Sequence, residues 1–548
     1  MTFKPTHIVL ITAALLGTGC SGSPADSPGG YSGVVEGIIQ DSTGQPLSGA
    51  FVKLQNAERR LTFMVISQDQ GHYTAGQLPA GSYILQGVGN GVQSEWSSPL
   101  EVIEGGSVKL DLSLTDPQAP MLPAAWPRRL PEEQLTTEAL PEGPGRELIS
   151  THCISCHGIA RVFRTGRSRQ AWQATIDEMR TNIRDGGLPD LTEEEAELLT
   201  DYTAAHFRPL PTPDENSRFP RTLLQGEARN YRVVQHELEN VAADTHDVAV
   251  DPFGIGWANQ RDGGKVSRFD PETLEHTEIS PPLTTAGQAR PGNPQISEEG
   301  VMWLPEPAES RWLSYDIQTA QWTSWDFPDS IRGGANGNSM ALHQDGTIWL
   351  TGPGALRRLD PTTHQWSNFD TPTWTQTHKN PGGYGITVAG DGRVWFALQS
   401  TDLMARVDPE TGAVDEFEIP VEGIVYPRRM DTDREGNVWV ALWQAGKIMK
   451  IDQHTAEMTV FDAPNTHNGA YSISIDQTSD FVWVTLHRVD KIARFNPNTL
   501  EWLEFPLPQA ETDVRRIELD PNNPDRLWWS SSDGAGVARI GFIELLDD

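Results

Sequence analysis

Two thiols and an imidazole stand within five residues of one another, in the run Cys153-Ile154-Ser155-Cys156-His157. Cysteines three apart lie about one helical turn from each other. A histidine beside the second can bind an iron whose porphyrin edge the two sulfurs hold through thioether bonds. The pattern predicts one covalent haem c, attached at Cys153 and Cys156, with His157 as the proximal iron ligand. Zinc would need more cysteines, and no βαβ pattern surrounds the pair as a dithiol redox site would require. Met179 is the one methionine between residues 143 and 208, and it is the expected second axial ligand. A thioether there raises the potential and favours electron transfer over oxygen chemistry. His206 is the second choice. Arg161, Arg164, Arg167 and Arg169 form a basic run that could meet haem propionates or orient an acidic redox partner.

The segment that must position these groups, 143–208, has helical periodicity. Trp172, Ile176, Met179 and Ile183 recur at spacings of three and four, followed by Leu198, Leu199 and Tyr202. Thr192 and Glu195 form a capping box for the final helix. Proline-rich, polar stretches at 116–142 and 209–228 read as extended linkers on either side. Before them, 31–115 alternates in short β-like runs broken at Asp41-Ser42-Thr43-Gly44, Gln70-Gly71 and Ala80-Gly81, the pattern of a small β-sandwich.

Everything from 229 to 548 is repetitive. Trp257, Trp303, Trp349, Trp395, Trp439, Trp483 and Trp528 recur every 44 to 46 residues, each read as ending its copy's second strand. Asp-Gly or Glu-Gly turns precede several of them, and Asp270, Asp316, Asp360, Asp408, Asp452 and Asn496 mark the turn after the next strand. That period, with four short strands per copy, predicts a seven-bladed β-propeller. The orphan strand Tyr231 to Leu238 is expected to complete the last blade and close the ring. The fold class is therefore multidomain and mainly β: a sandwich, a small all-α domain and a propeller.

Innermost propeller strands begin on one face, so residues at equivalent strand starts converge on one mouth of the channel. Counting back from the tryptophans gives His246, Asn338, Tyr384, Arg428, Tyr471 and Arg516, with Arg429, His467 and Arg515 beside them. Loops following the tryptophan strands carry Glu306, Trp443 and His487 to the same mouth. Convergent polar and aromatic groups there predict a site for a small-molecule substrate or a redox partner protein.

The chain has 548 residues, too many for one core. With 75 acidic against 42 basic residues its formal charge is −33, which repels phosphate backbones and excludes nucleic acid as a partner. Lys4, the apolar stretch Ile8 to Leu16 and Gly17-Thr18-Gly19-Cys20 read as an export signal over residues 1–20. The chain has three cysteines, and with two of them in the haem run no pair remains for a structural disulfide.

Four stretches resemble known families. Leu15-Leu16-Gly17-Thr18-Gly19-Cys20, followed by Ser21, resembles the lipobox of bacterial lipoproteins. That resemblance implies an acylated Cys20 and a periplasm-facing protein tethered to the outer membrane. GIIQDSTGQPLSGAFV, DQGHY and LPAGSYIL resemble the carboxypeptidase regulatory-like domain, an immunoglobulin-like sandwich that is usually non-catalytic, which implies a spacer or adhesion role. HCISCHG, with a tryptophan seven residues before Met179 and Tyr-Thr-Ala-Ala in the terminal helix, resembles class I cytochromes c. Repeat text such as ITVAGDGRVWFAL and RVDPETGAVDEFEIP resembles the virginiamycin B lyase family, whose members eliminate an ester C–O bond with a histidine base and a carboxylate-held magnesium. For that chemistry His467 or His487 would be the base and Glu306, in Trp303-Leu304-Pro305-Glu306, a metal carboxylate. A second metal carboxylate cannot be placed. The leading expectation is thus an exported electron-transfer cytochrome with a ligand-binding propeller. A magnesium lyase with an accessory haem domain is the alternative, and a haem-based sensor or interaction lipoprotein is the third reading.

Overall fold

The computed structural model describes residues 31–117, 137–153, 169–185, 191–207 and 223–546, except 242, 284–288, 329–330, 332–338, 379, 466–467, 510–511 and 532–536. Cys20, Cys156, His157, Asn338 and His467 lie outside the described residues. The protein is mainly β, with an immunoglobulin-like sandwich at the N-terminal end and a propeller at the other.

In the sandwich, Gly33–Asp41 pairs with His72–Leu78 to form one sheet, and Phe51–Asn56 lies between Leu61–Ile66 and Gly81–Gly89 in the other. Alternation along these strands turns Val35, Ile39, Val52, Leu54, Tyr73, Tyr83 and Leu85 into a shared core. Asp41 shapes its turn by accepting from the amides of Thr43 and Gln45.

The propeller repeats one local solution. Each Asp or Asn after a third strand accepts backbone N–H groups two and three residues on: Asp316 from Gln318 and Thr319, Asp408 from Glu410 and Thr411, Asp452 from His454 and Thr455. Such Asx turns reverse the chain into the fourth strand. The tryptophans do not end the second strands as expected. Trp349, Trp395, Trp439 and Trp483 are second residues of Ile348–Gly352, Val394–Leu398, Val438–Leu442 and Val482–Leu486. The glycine turn precedes the strand, so the indole falls at its beginning. There it is buried, with a third-strand cation over its ring: Arg406 5.4 Å from Trp395 and Lys450 5.5 Å from Trp439.

Six four-stranded antiparallel sheets follow in succession, and Val514–Asp520, Asn523–Ser531 and Arg539–Leu545 begin a seventh. Its fourth strand is Tyr231–Glu237, paired with Arg539–Leu545, so both ends of the repeat region close the last blade as the orphan strand suggested. That strand's other edge is not left open: Leu61–Ile66 of the sandwich pairs with it, Phe63 opposite Val234. One ten-stranded sheet therefore runs from the sandwich into blade 7 and covers an edge that would otherwise invite foreign strands.

The helical segment has its own core. Pro144–Leu148 continues through Ile149–Cys153, and both Arg169–Asp185 and Glu193–His206 pack with it around Leu140, Ile149, Trp172, Ile176, Leu199 and Tyr202. The predicted capping box is formed, Thr192 Oγ1 accepting from the Glu195 amide and Glu195 from the Thr192 amide. Gly145 lies flat against the Tyr202 ring, where any Cβ would overlap ring atoms. Among the described residues, no helix is long and apolar enough to cross a membrane.

Candidate functional site at the propeller mouth

The inner strands of blades 4 to 7 share one irregularity. Pairing to the second strand slips between Gly383 and Ile386, Pro427 and Met430, Ala470 and Ile473, and Val514 and Arg516. A bulge adds a residue to one strand and re-aims the side chains at that point. Four bulges at one level bring Tyr384, Arg428, Arg429, Tyr471 and Arg515 together. The backbone is tight there: a side chain on Gly385 would strike the Arg428 carbonyl.

Arg428 sits among aromatic rings, its guanidinium carbon 4.4 Å from the Tyr384 centroid, 4.7 Å from Trp443, 5.1 Å from Tyr471 and 5.6 Å from Tyr426. It donates to Gln399 Oε1. The hydroxyls of Tyr384 and Tyr471 meet. His487 stacks on Tyr471, with centroids 5.1 Å apart and planes at 22°, and its Nε2 pairs with the Asp513 carboxylate. Asp513 is also held by Arg515 at 2.6 Å. Burial drives the His487 pKa down, with Asp513 opposing, so the ring is neutral at neutral pH.

Beneath this layer Arg429 spans the channel. It binds Asp247 of blade 1, donates to Ser339 Oγ of blade 3 at 2.9 Å and to the Arg515 carbonyl of blade 7 at 3.1 Å. His246 contacts Asp247 through Nδ1 at 2.9 Å, and burial lowers its pKa to about 4. Burial alone would raise the Asp247 pKa, but Arg429 and His246 hold it far below the usual carboxylate range. A cavity of 440 Å³ opens from Ser339 and Arg429 and runs between the inner strands past Thr387, Ser474 and Arg516. Asp431 and Glu518 also line it, and burial raises Asp431 to about 6 against the amides of Thr432 and Ile475.

Of the expected mouth residues, His246, Tyr384, Arg428, Tyr471, Trp443 and His487 are brought together. Arg516 is displaced from the mouth group: it lines the cavity, paired with Glu518 at 2.7 Å, and Arg515 takes the mouth position. The bulge at 514–516 is shared with blades 4 to 6; the count from Trp528 fails because the hairpin behind it is longer, Trp528 pairing with Glu518 where Trp395 pairs with Thr387, with a second register shift between Leu519 and Asp520. Glu306 is buried and accepts from the Arg290 and Ala308 amides at 3.0 Å, so it shapes its own loop. Asp513, Asp247, Tyr426 and Arg488 were missed. The doublets Arg428-Arg429 and Arg515-Arg516 were the available signal, because adjacent like charges at a strand start imply that one of them is re-aimed.

At the helical segment, Cys153 ends the helical turn Ile149–Cys153, and Arg169 is engaged by Asp201 at 2.9 Å and by Glu197. Met179 is half-buried and, among the described residues, stands apart from the core that Trp172 and Ile176 enter from the same helix.

The virginiamycin B lyase family matches residues 288–545, and the carboxypeptidase regulatory-like domain matches 34–115. The C-terminal half is a virginiamycin B lyase-like propeller. A streptogramin B lyase structure aligns at 18% identity and a TM-score of 0.51, covering 59% of this chain and all of that one. Virginiamycin B lyase from Staphylococcus aureus aligns at 18% identity and 0.50, covering 58% of this chain and all of its own, as does a catalytically inactive variant with quinupristin. At that identity the likeness extends to the propeller fold. No curated protein matches the chain.

Proposed function

We propose that the chain is an exported c-type cytochrome, with one haem in the helical segment and a virginiamycin B lyase-like propeller that binds a substrate or redox partner. The carrying observation is the run Cys153-x-x-Cys156-His157, set in a helical segment with its own core between two proline-rich stretches. The donor set fits the group: two thiols for attachment, an imidazole for iron, and a methionine that, among the described residues, stands apart from the core. When bound, haem c supplies a reversible one-electron couple. Cys153 and Cys156 would anchor it, while His157 and Met179 would bind its iron. Gly145 against Tyr202 and the Trp172 indole, which donates to the Phe207 carbonyl at 3.0 Å, would keep these helices fixed. Cys20 would carry lipid and tether the protein, periplasm-facing, to the outer membrane.

Protein matured in a host that attaches haem c should give a haemochrome spectrum that survives denaturation and disappears in Cys153→Ser/Cys156→Ser. Met179→Ala should abolish the weak near-infrared sulfur-to-iron band of the oxidised protein. An unchanged band removes the Met179 assignment.

One observation favours a second reading, a lyase: His487, neutral and held by Asp513 at the channel mouth, is placed as a base would be. Magnesium does not fit the described residues, since no three His, Cys, Asp or Glu side chains gather there to hold a metal. Turnover lost in His487→Ala but kept in His157→Ala would favour this reading over electron transfer.

A further inference from the structure

The mouth is electropositive in a strongly acidic protein. Four guanidinium groups, Arg428, Arg429, Arg488 and Arg515, converge there; Asp247 binds Arg429 and Asp513 binds Arg515. Asp244, which faces Arg515 from one side, is paired with Arg261 at 3.5 Å. His246 and His487 add no charge at neutral pH, because burial lowers both pKa values. Among the described residues Arg428 is a guanidinium that the Arg429–Asp247 and Arg515–Asp513 pairs do not offset, while the chain as a whole carries −33.

Arg429 and Arg488 are buried, whereas Arg428 and Arg515 are only partly so. Arg428 has no carboxylate partner among the described residues; its one hydrogen bond there goes to the neutral amide of Gln399, and its buried Nε has none. Arg515 spends Nη2 on Asp513, and its buried Nε is likewise unpartnered. The guanidinium edge that stays in reach can take a planar anion through two parallel N–H groups. Around this edge stand the half-buried rings of Trp443, Tyr426 and His487. They offer flat apolar walls to whatever carries the anion.

We propose that the propeller mouth binds a small aromatic carboxylate, its carboxylate on the part-exposed guanidinium groups of Arg428 and Arg515 and its ring against Trp443 and Tyr426. This deepens the reading that the propeller binds a substrate and rests on it. Guanidinium and carboxylate match in plane and spacing, and the aromatic walls favour a ring over a bare phosphate.

The test is calorimetric titration of the full chain with 4-hydroxybenzoate, indole-3-acetate and cinnamate, with the neutral amide of each, and with inorganic phosphate. At least one carboxylate should bind saturably at one per chain, its amide at least tenfold more weakly, and phosphate no better than the amide. Arg428→Gln should weaken the carboxylate at least tenfold without lowering the melting temperature, and Arg428→Lys should recover only part because the fork is lost. Phosphate binding as tightly as the acids would overturn the carboxylate assignment. Equal binding of acid and amide, unmoved by Arg428→Gln, would overturn the anionic class while leaving the mouth a binding site. No binding by any probe would overturn both. The haem assignment is read from the spectrum of the same protein and is untouched by any of these outcomes.

Discussion

Arg429→Met removes a charge that links four blades, and its cost follows from what it abandons. Arg429 and Asp247 have side chains only 6% and 3% exposed, so water cannot take over the carboxylate when the guanidinium is gone. Losing one partner of a buried pair typically costs about 3–5 kcal/mol, most of it the penalty of an uncompensated buried charge. The bonds to Ser339 and the Arg515 carbonyl disappear as well, leaving that hydroxyl and carbonyl to be satisfied elsewhere. Methionine fills similar volume, so the loss should be electrostatic rather than cavity-driven. Denaturant titration of the full chain, followed by tryptophan fluorescence, should place the loss in the propeller transition. Asp247→Asn in the Arg429→Met background should recover at least ~2 kcal/mol, since coupled buried pairs are strongly non-additive. The pH dependence has a definite sign. Asp247 has a depressed folded pKa, so its contribution is present above the unfolded value near 4 and is lost only as pH falls through the folded value. The gap between wild type and Arg429→Met should be widest at high pH and narrow as pH falls, beginning above about pH 4, because burial raises the pKa of the stranded carboxylate. A loss under about 1 kcal/mol, or strict additivity with Asp247→Asn, would refute the reasoning.

Three further outcomes are expected. Asp431 has a raised folded pKa of about 6, so its ionisation penalty is absent below about pH 4 and complete above pH 6; Asp431→Asn should gain up to about 3 kcal/mol on wild type between urea melts at pH 4 and pH 7.5. Gly145→Ala should destabilise the helical segment by at least ~1 kcal/mol through the Tyr202 clash, seen as early loss of the helical circular dichroism signal, with the propeller transition unmoved. Met64→Pro, in the strand that continues blade 7, should lower the propeller melting temperature together with that of the sandwich, whereas independent modules would leave the propeller unchanged.

Much of the architecture is local and was therefore legible. The Asx turns after Asp316, Asp408 and Asp452 depend on one side chain and the next three residues, so their spacing carries straight into blade boundaries. The capping box at Thr192 and Glu195 is equally local. The union of sandwich and propeller was not legible, because Leu61–Ile66 and Tyr231–Glu237 are far apart in sequence and each alternates as any edge strand would. At the mouth, counting from the tryptophans located Tyr384, Arg428 and Tyr471. It failed at Arg516, because the hairpin between Glu518 and Trp528 is longer than its counterparts and shifts the count. The pairing of His487 with Asp513 crosses between blades, and neither residue advertises the other.

The central claim is that this chain carries a covalent one-electron centre at Cys153, Cys156 and His157. A spectroelectrochemical titration of holoprotein purified from a haem-attaching host tests it most directly. The account predicts a reversible Nernstian transition with a slope of one electron and a stoichiometry of one haem per chain, abolished in Cys153→Ser/Cys156→Ser. Colourless protein from such a host, or pigment that persists after both sulfurs are replaced, would contradict it.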